Sequence, residues 1–214
     1  MSLPLPRVQR PALLGIMCAI AFGGALAAGA GLMGLRDARL AGPVSLVTAT
    51  EDVADALSDA PWIGSESNGP VVWAFTRPDC DCGKLTPAAV AALADEEMEI
   101  RVVVVAPRPA NATAPPPASN VTVATLAENR DWAALQHWAV GAPVTASSSD
   151  PAATEGYVEW GRASYDRIAA ILRENGVDPK LPLLIWRRGP EWRVLVGSHA
   201  ATLDAVRHDM AVES

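Results

Sequence analysis

The most pronounced pattern along the chain is a charge-free apolar stretch near its N-terminus. Residues 11–35 contain no charged side chain and are mostly apolar. A helix of roughly 20 such residues crosses a bilayer. Because Arg7 and Arg10 precede the stretch, the positive-inside rule keeps residues 1–11 in the cytoplasm and predicts one transmembrane anchor at 12–35. The remainder of the chain would then lie in the periplasm, outside a bacterial inner membrane.

A cleavable signal peptide is the alternative interpretation of this stretch. Ala25-Leu26-Ala27 has the small-x-small form of a cleavage site. The apolar stretch continues past this site to Leu35, which favours a retained anchor. Either interpretation exports residues 37–214. Cys18 is expected to be a small buried residue of the membrane segment.

Beyond a linker at 36–43, short apolar runs alternate with amphipathic segments, which predicts an α/β domain over 44–210 and a tail at 211–214. Four consecutive valines in one run indicate burial on both faces of a parallel sheet. Later, apolar runs at 182–187 and 192–197 flank a Gly-Pro turn and predict an antiparallel hairpin. Before them, strands are predicted in three places (44–49, 70–76 and 99–106).

Helical patterns fill the spaces between these runs. Thr50 is the predicted N-cap of the first helix, with acidic residues in its first turn. An alanine-rich helix at 86–97 would complete a right-handed βαβ unit. Residues 61–70 and 107–120 are rich in Gly, Pro and small polar residues, which predicts loops. Further helices are expected at 126–140, 154–175 and 201–210, with an inserted helical region at about 126–176.

Charge is unevenly distributed along the chain. The net charge is −7, and residues 1–36 contribute +3 from three arginines and no acid, so residues 37–214 carry −10. Nucleic-acid binding needs a basic surface that neutralises phosphates. The acidic exported part therefore argues against nucleic acid as a partner.

Cys80 and Cys82 are the main candidates for chemistry. They stand at the junction between the second predicted strand and the alanine-rich helix. Backbone N–H groups are unpaired at a helix N-terminus and the dipole is positive there, which favours thiolate over thiol. Lys84 acts in the same direction, whereas the carboxylates of Asp79 and Asp81 oppose it.

The exported part contains no other cysteine, so these two can pair only with each other or with another molecule. The three histidines are scattered, and each is expected at the surface rather than at a metal site (His137, His199 and His208). The aromatic residues of the inserted region are expected to pack in the core or between helices (Trp132, Trp138, Tyr157, Trp160 and Tyr165). The sequence therefore predicts a single centre of chemistry, at the cysteine pair.

The order of predicted elements resembles the thioredoxin-like fold, with a cysteine pair after one buried run and a proline opening the later hairpin. More narrowly, the chain is similar to membrane-anchored or exported bacterial thiol–disulfide oxidoreductases and isomerases. Phe75-Thr76 before the cysteines and Lys84-Leu85 after them carry this resemblance, together with the inserted helices. The resemblance spans roughly residues 44–210.

The resemblance implies roles for individual residues. Cys80 and Cys82 match the catalytic pair, and Pro87 matches the kink proline of the active-site helix. Leu181 and Pro182 match the cis-proline segment that faces the pair and holds the substrate chain. The resemblance also implies substrates that are exported proteins with thiols or disulfides, a membrane redox partner or membrane complex, and no cofactor.

The cysteine spacing departs from the family pattern. The family has Cys-x-x-Cys, and this chain has Cys-x-Cys. A disulfide between Cys80 and Cys82 closes a smaller ring, although Cα atoms two positions apart can fall within the window of about 4.4–6.8 Å that a disulfide needs. We expect such a bond to be strained and labile, which suits a donor or shuffler of disulfides more than a structural bond.

Three functions are consistent with these patterns. The first is a periplasmic thiol–disulfide oxidoreductase or isomerase. The second is a non-catalytic thioredoxin-fold subunit of a membrane or envelope assembly, with an inert or regulatory disulfide. The third is copper handling, because soft thiolates bind Cu(I), although the cysteines lack a Met-rich or His-rich neighbourhood.

Overall fold

The computed structural model describes residues 42–65, 67–78, 98–109, 111, 114, 116–146, 150–197 and 200–211. These residues form six strands, namely β1 (Val44–Leu46), β2 (Ile63–Gly64), β3 (Val71–Thr76), β4 (Glu99–Val104), β5 (Leu183–Arg188) and β6 (Glu191–Val196). They also form five helices, namely α1 (Thr50–Ser58), α2 (Ser119–Asn129), α3 (Trp132–Ala139), α4 (Pro151–Glu174) and α5 (Ala200–Ala211).

Two predicted helices fall outside this part of the chain. The predicted anchor at 12–35, which contains Cys18, and the alanine-rich helix predicted at 86–97 lie beyond the described residues. Among the residues that are described, no helix combines the length and the apolar character needed to span a membrane.

One sheet contains all six strands, in the order β1-β6-β5-β3-β4-β2. β3 and β4 are parallel, with Val71 opposite Glu99 and Thr76 opposite Val104. The other neighbouring strands pair antiparallel. In the central sheet of a thioredoxin-like domain, two parallel strands lie side by side, and the first of them also pairs with an antiparallel hairpin. Here β3 and β4 are the parallel strands, and β5 and β6 form the hairpin. The predicted thioredoxin-like α/β fold is therefore confirmed.

Apolar side chains on the two faces of the sheet form two core clusters, so the domain has three layers. Helices α2, α3 and α5 cover one face, α1 covers the other, and α4 contributes to both. Full burial of each large apolar side chain stabilises the fold by about 1.5–3 kcal/mol. Side chains of β3 and β4 alternate between the clusters, which explains why the consecutive valines are all buried, as predicted (Val102, Val103, Val104 and Val105).

Local sequence signals determine where α4 begins and ends. The carboxylate of Asp150 caps the first turn, and Pro151 is the first helical residue. At the other end Gly176 has a φ of 73°, and the N–H of Val177 donates to the carbonyl of Leu172 at 2.8 Å. This is a Schellman motif, which glycine adopts without steric cost.

A buried arginine attaches α4 to the end of β4. Arg162 donates hydrogen bonds to the carbonyl of Ala106 at 3.3 Å and to the carbonyl of Pro107. One residue earlier, Gly161 approaches β4 so closely that an added Cβ would lie 3.3 Å from the carbonyl oxygen of Val104. The last residues of β4 are thereby held in place next to the end of β3.

The β5–β6 hairpin turns through Gly189 and Pro190, as predicted. Arg188 pairs with Glu191 across a two-residue loop, and Gly189 has a φ of 54°. Proline cannot take a positive φ, so only the first loop residue does, which defines a type II′ turn.

A buried carboxylate at the hairpin end of the sheet is saturated with hydrogen bonds. Asp209 of α5 accepts from Trp186 Nε1 and from Arg188 Nη1, both at 3.0 Å. It also accepts from Arg193 Nε at 3.1 Å and from Nη2 at 2.9 Å, a bidentate pair. This one carboxylate ties α5 to both strands of the hairpin.

The N-cap predicted at Thr50 is wrong. Thr50 is the first residue of α1, and the preceding Ala49 has a φ of 58° with no side-chain cap. Asn175 explains the difference, because its Oδ1 accepts from the N–H groups of Val47 at 2.9 Å and Thr48 at 3.1 Å. A residue far along the chain thus fixes the turn that leads into the helix.

The loop predicted at 61–70 contains β2. This short strand forms because the N–H of Ser65 donates to the carbonyl of Ile100 at 2.9 Å and the Ser65 Oγ accepts from the N–H of Ile100 at 2.9 Å. Two predicted strands are shorter than expected, since β1 ends at Leu46 and β4 ends at Val104.

The loop predicted at 107–120 and the helix predicted at 126–140 also have different bounds. α2 begins at Ser119, in a stretch rich in β-branched residues that weakens the helical signal. The predicted single helix is two helices, because Arg130 has a φ of 51° and Asp131 caps the start of α3.

Candidate active site at the carboxyl end of β3

The sequence-predicted site residues are divided between the described and the undescribed parts of the chain. Leu181 and Pro182 are described. The catalytic and supporting residues lie outside the described residues (Cys80, Cys82, Asp79, Asp81, Lys84 and Pro87). The described geometry therefore concerns the strand end that leads to the cysteines and the segment expected to face them.

Pro182 is buried beside the end of β3. The Leu181–Pro182 peptide bond is cis. Leu183 pairs with Phe75, and continuing this register by one residue places Pro182 opposite Thr76. The carbonyl of Pro182 accepts a hydrogen bond from the N–H of Gly197 at 2.9 Å, which ties the segment to β6. The resemblance predicted that this proline faces the cysteine pair, and that prediction lies outside the described residues because Cys80 and Cys82 are not among them.

Leu181 has spare hydrogen-bonding capacity. Its side chain is half-buried and packs against the core cluster on the α1 face of the sheet. Its backbone N–H and C=O make no hydrogen bond with any described residue. A backbone donor and acceptor at a strand end can add an extended peptide, as at an exposed sheet edge.

Thr76 carries an unsatisfied hydroxyl. The residue is completely buried, and its carbonyl accepts from the N–H of Val105 at 2.8 Å. Among the described residues its Oγ1 has no hydrogen-bond partner. Such a buried group costs about 1–3 kcal/mol relative to a paired one. Polar groups of this kind are rare and concentrate where a protein functions.

Tyr165 supports the same region from α4. Its ring packs against Phe75 with centroids 6.2 Å apart, and its hydroxyl donates to the carbonyl of Pro179 at 3.2 Å. Burial raises the pKa of Tyr165, while the nearby cations Arg173 and Arg77 act in the opposite direction. The phenol therefore stays protonated and holds the chain that leads to Leu181 and Pro182.

The segment before Leu181 also carries an exposed ion pair. Lys180 Nζ lies 2.9 Å from Asp178 Oδ2, and this hydrogen bond raises the pKa of Lys180. Both side chains are largely exposed, so solvent screens the pair and it adds little to stability. Because Asp178 and Lys180 are its only charged residues, the segment at 177–182 has no net charge.

The described residues contain no cluster of three or more His, Cys, Asp or Glu side chains suited to hold a metal ion. His137 and His208 are exposed, as predicted, and His199 lies outside the described residues. Copper handling at the cysteines stays an untested alternative.

The sequence reasoning missed the roles of Thr76 and Tyr165. Thr76 was identified as the last residue of an apolar run and, with Phe75, as part of the resemblance, but the burial of its hydroxyl depends on what the fold places around it. Tyr165 was expected to pack, which it does against Phe75, but its hydrogen bond to the segment before Pro182 joins residues far apart in sequence. No local pattern signals either feature.

Comparisons with known proteins find similar chains among the solved structures. No protein-family model matches the chain, and no curated protein matches its sequence. Similar solved structures include the catalytic domain of Proteus mirabilis ScsC, with 13% identity, a TM-score of 0.44, and coverage of 76% of this chain and 98% of that chain.

Two others are a periplasmic thioredoxin-like protein from Salmonella enterica serovar Typhimurium and the thiol-disulfide exchange protein alpha-DsbA2 from Wolbachia pipientis. The first has 15% identity and a TM-score of 0.45, covering 74% of this chain and 96% of that chain. The second has 16% identity and a TM-score of 0.47, and the match covers 77% of this chain and 95% of that chain. What this chain does has to follow from its own residues.

Proposed function

We propose that this chain is a periplasmic, membrane-anchored thiol–disulfide oxidoreductase or isomerase that acts on exported proteins through Cys80 and Cys82. The anchor is the apolar stretch at 12–35, with the N-terminus in the cytoplasm. Its partners are exported proteins with thiols or disulfides and a redox partner in the membrane. The exported domain binds no nucleic acid, because its net charge is strongly negative.

The position of Pro182 is the observation that carries this proposal. Pro182 lies opposite Thr76, and the chain continues from Thr76 through Pro78 to Cys80. Cys80 is two residues beyond Pro78 in the sequence, and two residues span at most about 7 Å. We infer that the cysteine pair belongs to the same small region as Leu181, whose backbone N–H and C=O make no hydrogen bond with described residues.

The proposed reaction is thiol–disulfide exchange in two steps. The Cys80 thiolate attacks one sulfur of a substrate disulfide, forms a mixed disulfide and releases the other substrate sulfur as a thiolate. The Cys82 thiolate then attacks Cys80, forms the Cys80–Cys82 disulfide and releases the second substrate thiolate. Two electrons pass to the substrate, and the reverse sequence oxidises it.

Leu181 and Pro182 would hold the substrate chain during these steps. A substrate segment in an extended conformation can hydrogen-bond to the backbone N–H and C=O of Leu181, which make no hydrogen bond with described residues. Lys84 and the helix N-terminus would stabilise the thiolate, against the carboxylates of Asp79 and Asp81.

Trapping of mixed disulfides tests the proposal. With Cys82→Ser the second step is lost, so the full-length chain should accumulate covalent complexes with substrate proteins that dithiothreitol releases. With Cys80→Ser no such complexes should form, and exchange with dithiols should be abolished. Equal trapping by the two variants, or none by Cys82→Ser, would show that the pair is not catalytic.

A substitution at Pro182 tests the substrate-holding segment separately. Pro182→Ala changes the backbone beside Leu181 without touching either thiol, so we expect slower release and longer-lived mixed disulfides. The decay of the trapped complex, followed by non-reducing electrophoresis, measures this. Pro190→Ala, in the distant hairpin turn, is the matched control and should decay at the wild-type rate.

A further inference from the structure

Aromatic rings and arginine side chains alternate along the β2 edge of the sheet. The Cζ atom of Arg101 lies 4.3 Å from the ring centroid of Trp62 and 5.1 Å from that of Trp73. The Cζ atom of Arg130 lies 5.8 Å from the ring centroid of Trp62 and 5.8 Å from that of Trp160. Each of these distances is within the range of a cation–π interaction.

Tyr157 extends this arrangement at the surface. Its ring stacks on that of Trp160 with centroids 6.4 Å apart. Trp160 is 37% exposed, and its indole N–H donates to the carbonyl of Asp59, which fixes the orientation of the ring. We refer to these six residues as the arginine–tryptophan stack (Trp73, Arg101, Trp62, Arg130, Trp160 and Tyr157).

Carboxylates near the stack already have partners. Each is bound to a cation or to a helix N-terminus (Glu99 to Arg101, Asp59 to Arg167, Glu159 to Arg162, and Asp131 to the first turn of α3). Arg130 differs from the other arginines of this region. It is exposed, and within the described part of the chain its guanidinium makes no hydrogen bond or ion pair.

We propose that the arginine–tryptophan stack is a docking surface for an acidic segment of a partner polypeptide. A carboxylate of the partner would bind the guanidinium of Arg130 through paired hydrogen bonds. An adjacent apolar side chain would lie on the exposed ring of Trp160, next to the half-buried ring of Tyr157. Trp, Tyr and Arg are the residue types that dominate binding energy at protein interfaces.

The charge of the domain limits how such a partner binds. Residues 37–214 carry a net charge of −10, so an acidic partner is not attracted from a distance. Affinity must come from close contact with Arg130, whose position between the indole rings of Trp62 and Trp160 organises it in advance. The surface does not involve the cysteines, so the proposal is independent of the proposed function.

Two matched peptide pools test this proposal on the full-length chain. Both are acetylated, amidated and fluorescently labelled octapeptides whose variable positions are Leu, Pro, Ala or Ser. One pool has a central Glu and the other a central Gln. Fluorescence polarisation should show the Glu pool binding at least about tenfold more tightly, as expected for a charge-assisted pair.

Substitutions test whether the arginine–tryptophan stack causes the tighter binding of the Glu pool. Arg130→Gln should remove the tenfold difference, Arg130→Lys should retain only part of it, and Trp160→Ala should weaken both pools. Arg187→Gln, an exposed arginine in β5, is the control and should keep the preference. The double variant Cys80→Ser, Cys82→Ser should also keep it, whatever becomes of the redox proposal.

Three results would overturn the proposal. The first is equal binding of the two pools by the wild-type chain. The second is a preference that survives in Arg130→Gln. The third is displacement of the Glu pool by inorganic phosphate at the same concentration as by free unlabelled Glu pool, which would make this a small-anion site instead of a polypeptide docking surface.

Discussion

Two buried polar groups at opposite ends of the central sheet, the carboxylate of Asp209 and the hydroxyl of Thr76, differ in their hydrogen bonding. At the hairpin end, the carboxylate of Asp209 accepts four hydrogen bonds from three side chains. At the carboxyl end of β3, the hydroxyl of Thr76 is completely buried and has no partner among the described residues. Beside it, the backbone N–H and C=O of Leu181 make no hydrogen bond with described residues.

This contrast distinguishes a structural carboxylate from the groups at the end of the sheet that we propose to be functional. A saturated polar network holds elements together and leaves nothing for a ligand. Groups without a partner among the described residues cost stability, and we infer that those at the end of β3 serve substrate binding. The unpaired groups lie at the strand end from which the chain leads to Cys80.

The largest effect on stability is expected at the saturated end. Asp209→Ala leaves the guanidinium groups of Arg188 and Arg193 and the indole N–H of Trp186 without this carboxylate. Removing one partner of a buried ion pair costs about 3–5 kcal/mol. Urea titration followed by tryptophan fluorescence measures the free energy of unfolding.

The control for this prediction is Asp166→Ala, which removes an exposed ion pair with Arg108. Pairs of that kind contribute about 0–1 kcal/mol. If the two alanine variants lost similar stability, the network at Asp209 would not be what holds α5 to the hairpin.

A substitution at Thr76 should stabilise the fold, in contrast to the substitution at Asp209. Thr76→Val removes the unpaired hydroxyl and keeps the shape of the side chain, so the free energy of unfolding should rise by about 1–3 kcal/mol. Ser164→Ala is the matched control, because Ser164 is also buried but its Oγ donates to the carbonyl of Trp160 at 2.9 Å. That variant should lose about 0.5–1.5 kcal/mol. A loss of stability in Thr76→Val would mean that its hydroxyl is satisfied in the native chain.

Much of the fold is predictable from the sequence because it depends on local signals. The hairpin at Gly189 and Pro190 rests on a turn, and the valines of β4 indicated a buried strand. The cap of α4 at Asp150 and Pro151 is also local, but the helix was predicted to begin only at 154. By contrast, β2 and the turn that leads into α1 depend on Ser65 and on Asn175, whose partners are distant in sequence, and neither β2 nor the missing N-cap of α1 was predicted.

The candidate site divides in the same way. The cysteine spacing and the resemblance pointed to Cys80, Cys82 and Pro182. The sheet register places Pro182 beside the end of β3, while both cysteines lie outside the described residues. The unpaired hydroxyl of Thr76 and the support from Tyr165 arise only when α4, β3 and the segment before β5 come together. The periodicity of a single sequence does not predict such tertiary contacts.

The smallest change in the free energy of unfolding is expected at Tyr165, whose hydroxyl is hydrogen-bonded near the carboxyl end of β3. Tyr165→Phe removes its hydrogen bond to Pro179 and should cost about 0.5–1.5 kcal/mol. The raised pKa of Tyr165 also gives a pH dependence. The folded chain keeps the phenol proton at a pH where the unfolded chain has released it, so stability falls as pH rises above about 10.

Absorbance at 295 nm resolves this effect, because the chain has two tyrosines and Tyr157→Phe leaves one phenol to titrate. In that variant the midpoint should lie above 10 in the folded chain and return to about 10 in urea. The loss of stability above this pH should be smaller in Tyr165→Phe than in the wild-type chain. A phenol that titrates alike in both states would contradict the burial of Tyr165.

The most direct test of the central claim is the redox equilibrium of Cys80 and Cys82. The full-length chain is equilibrated with dithiothreitol buffers of graded potential, free thiols are alkylated, and mass spectrometry counts them. We predict a reversible Cys80–Cys82 disulfide with a midpoint above about −300 mV, as expected for a labile bond in a short ring. The Cys80→Ser, Cys82→Ser variant sets the baseline. Two thiols that stay free under oxidising conditions, or a disulfide with a midpoint well below that value, would contradict the account and leave a thioredoxin-fold scaffold.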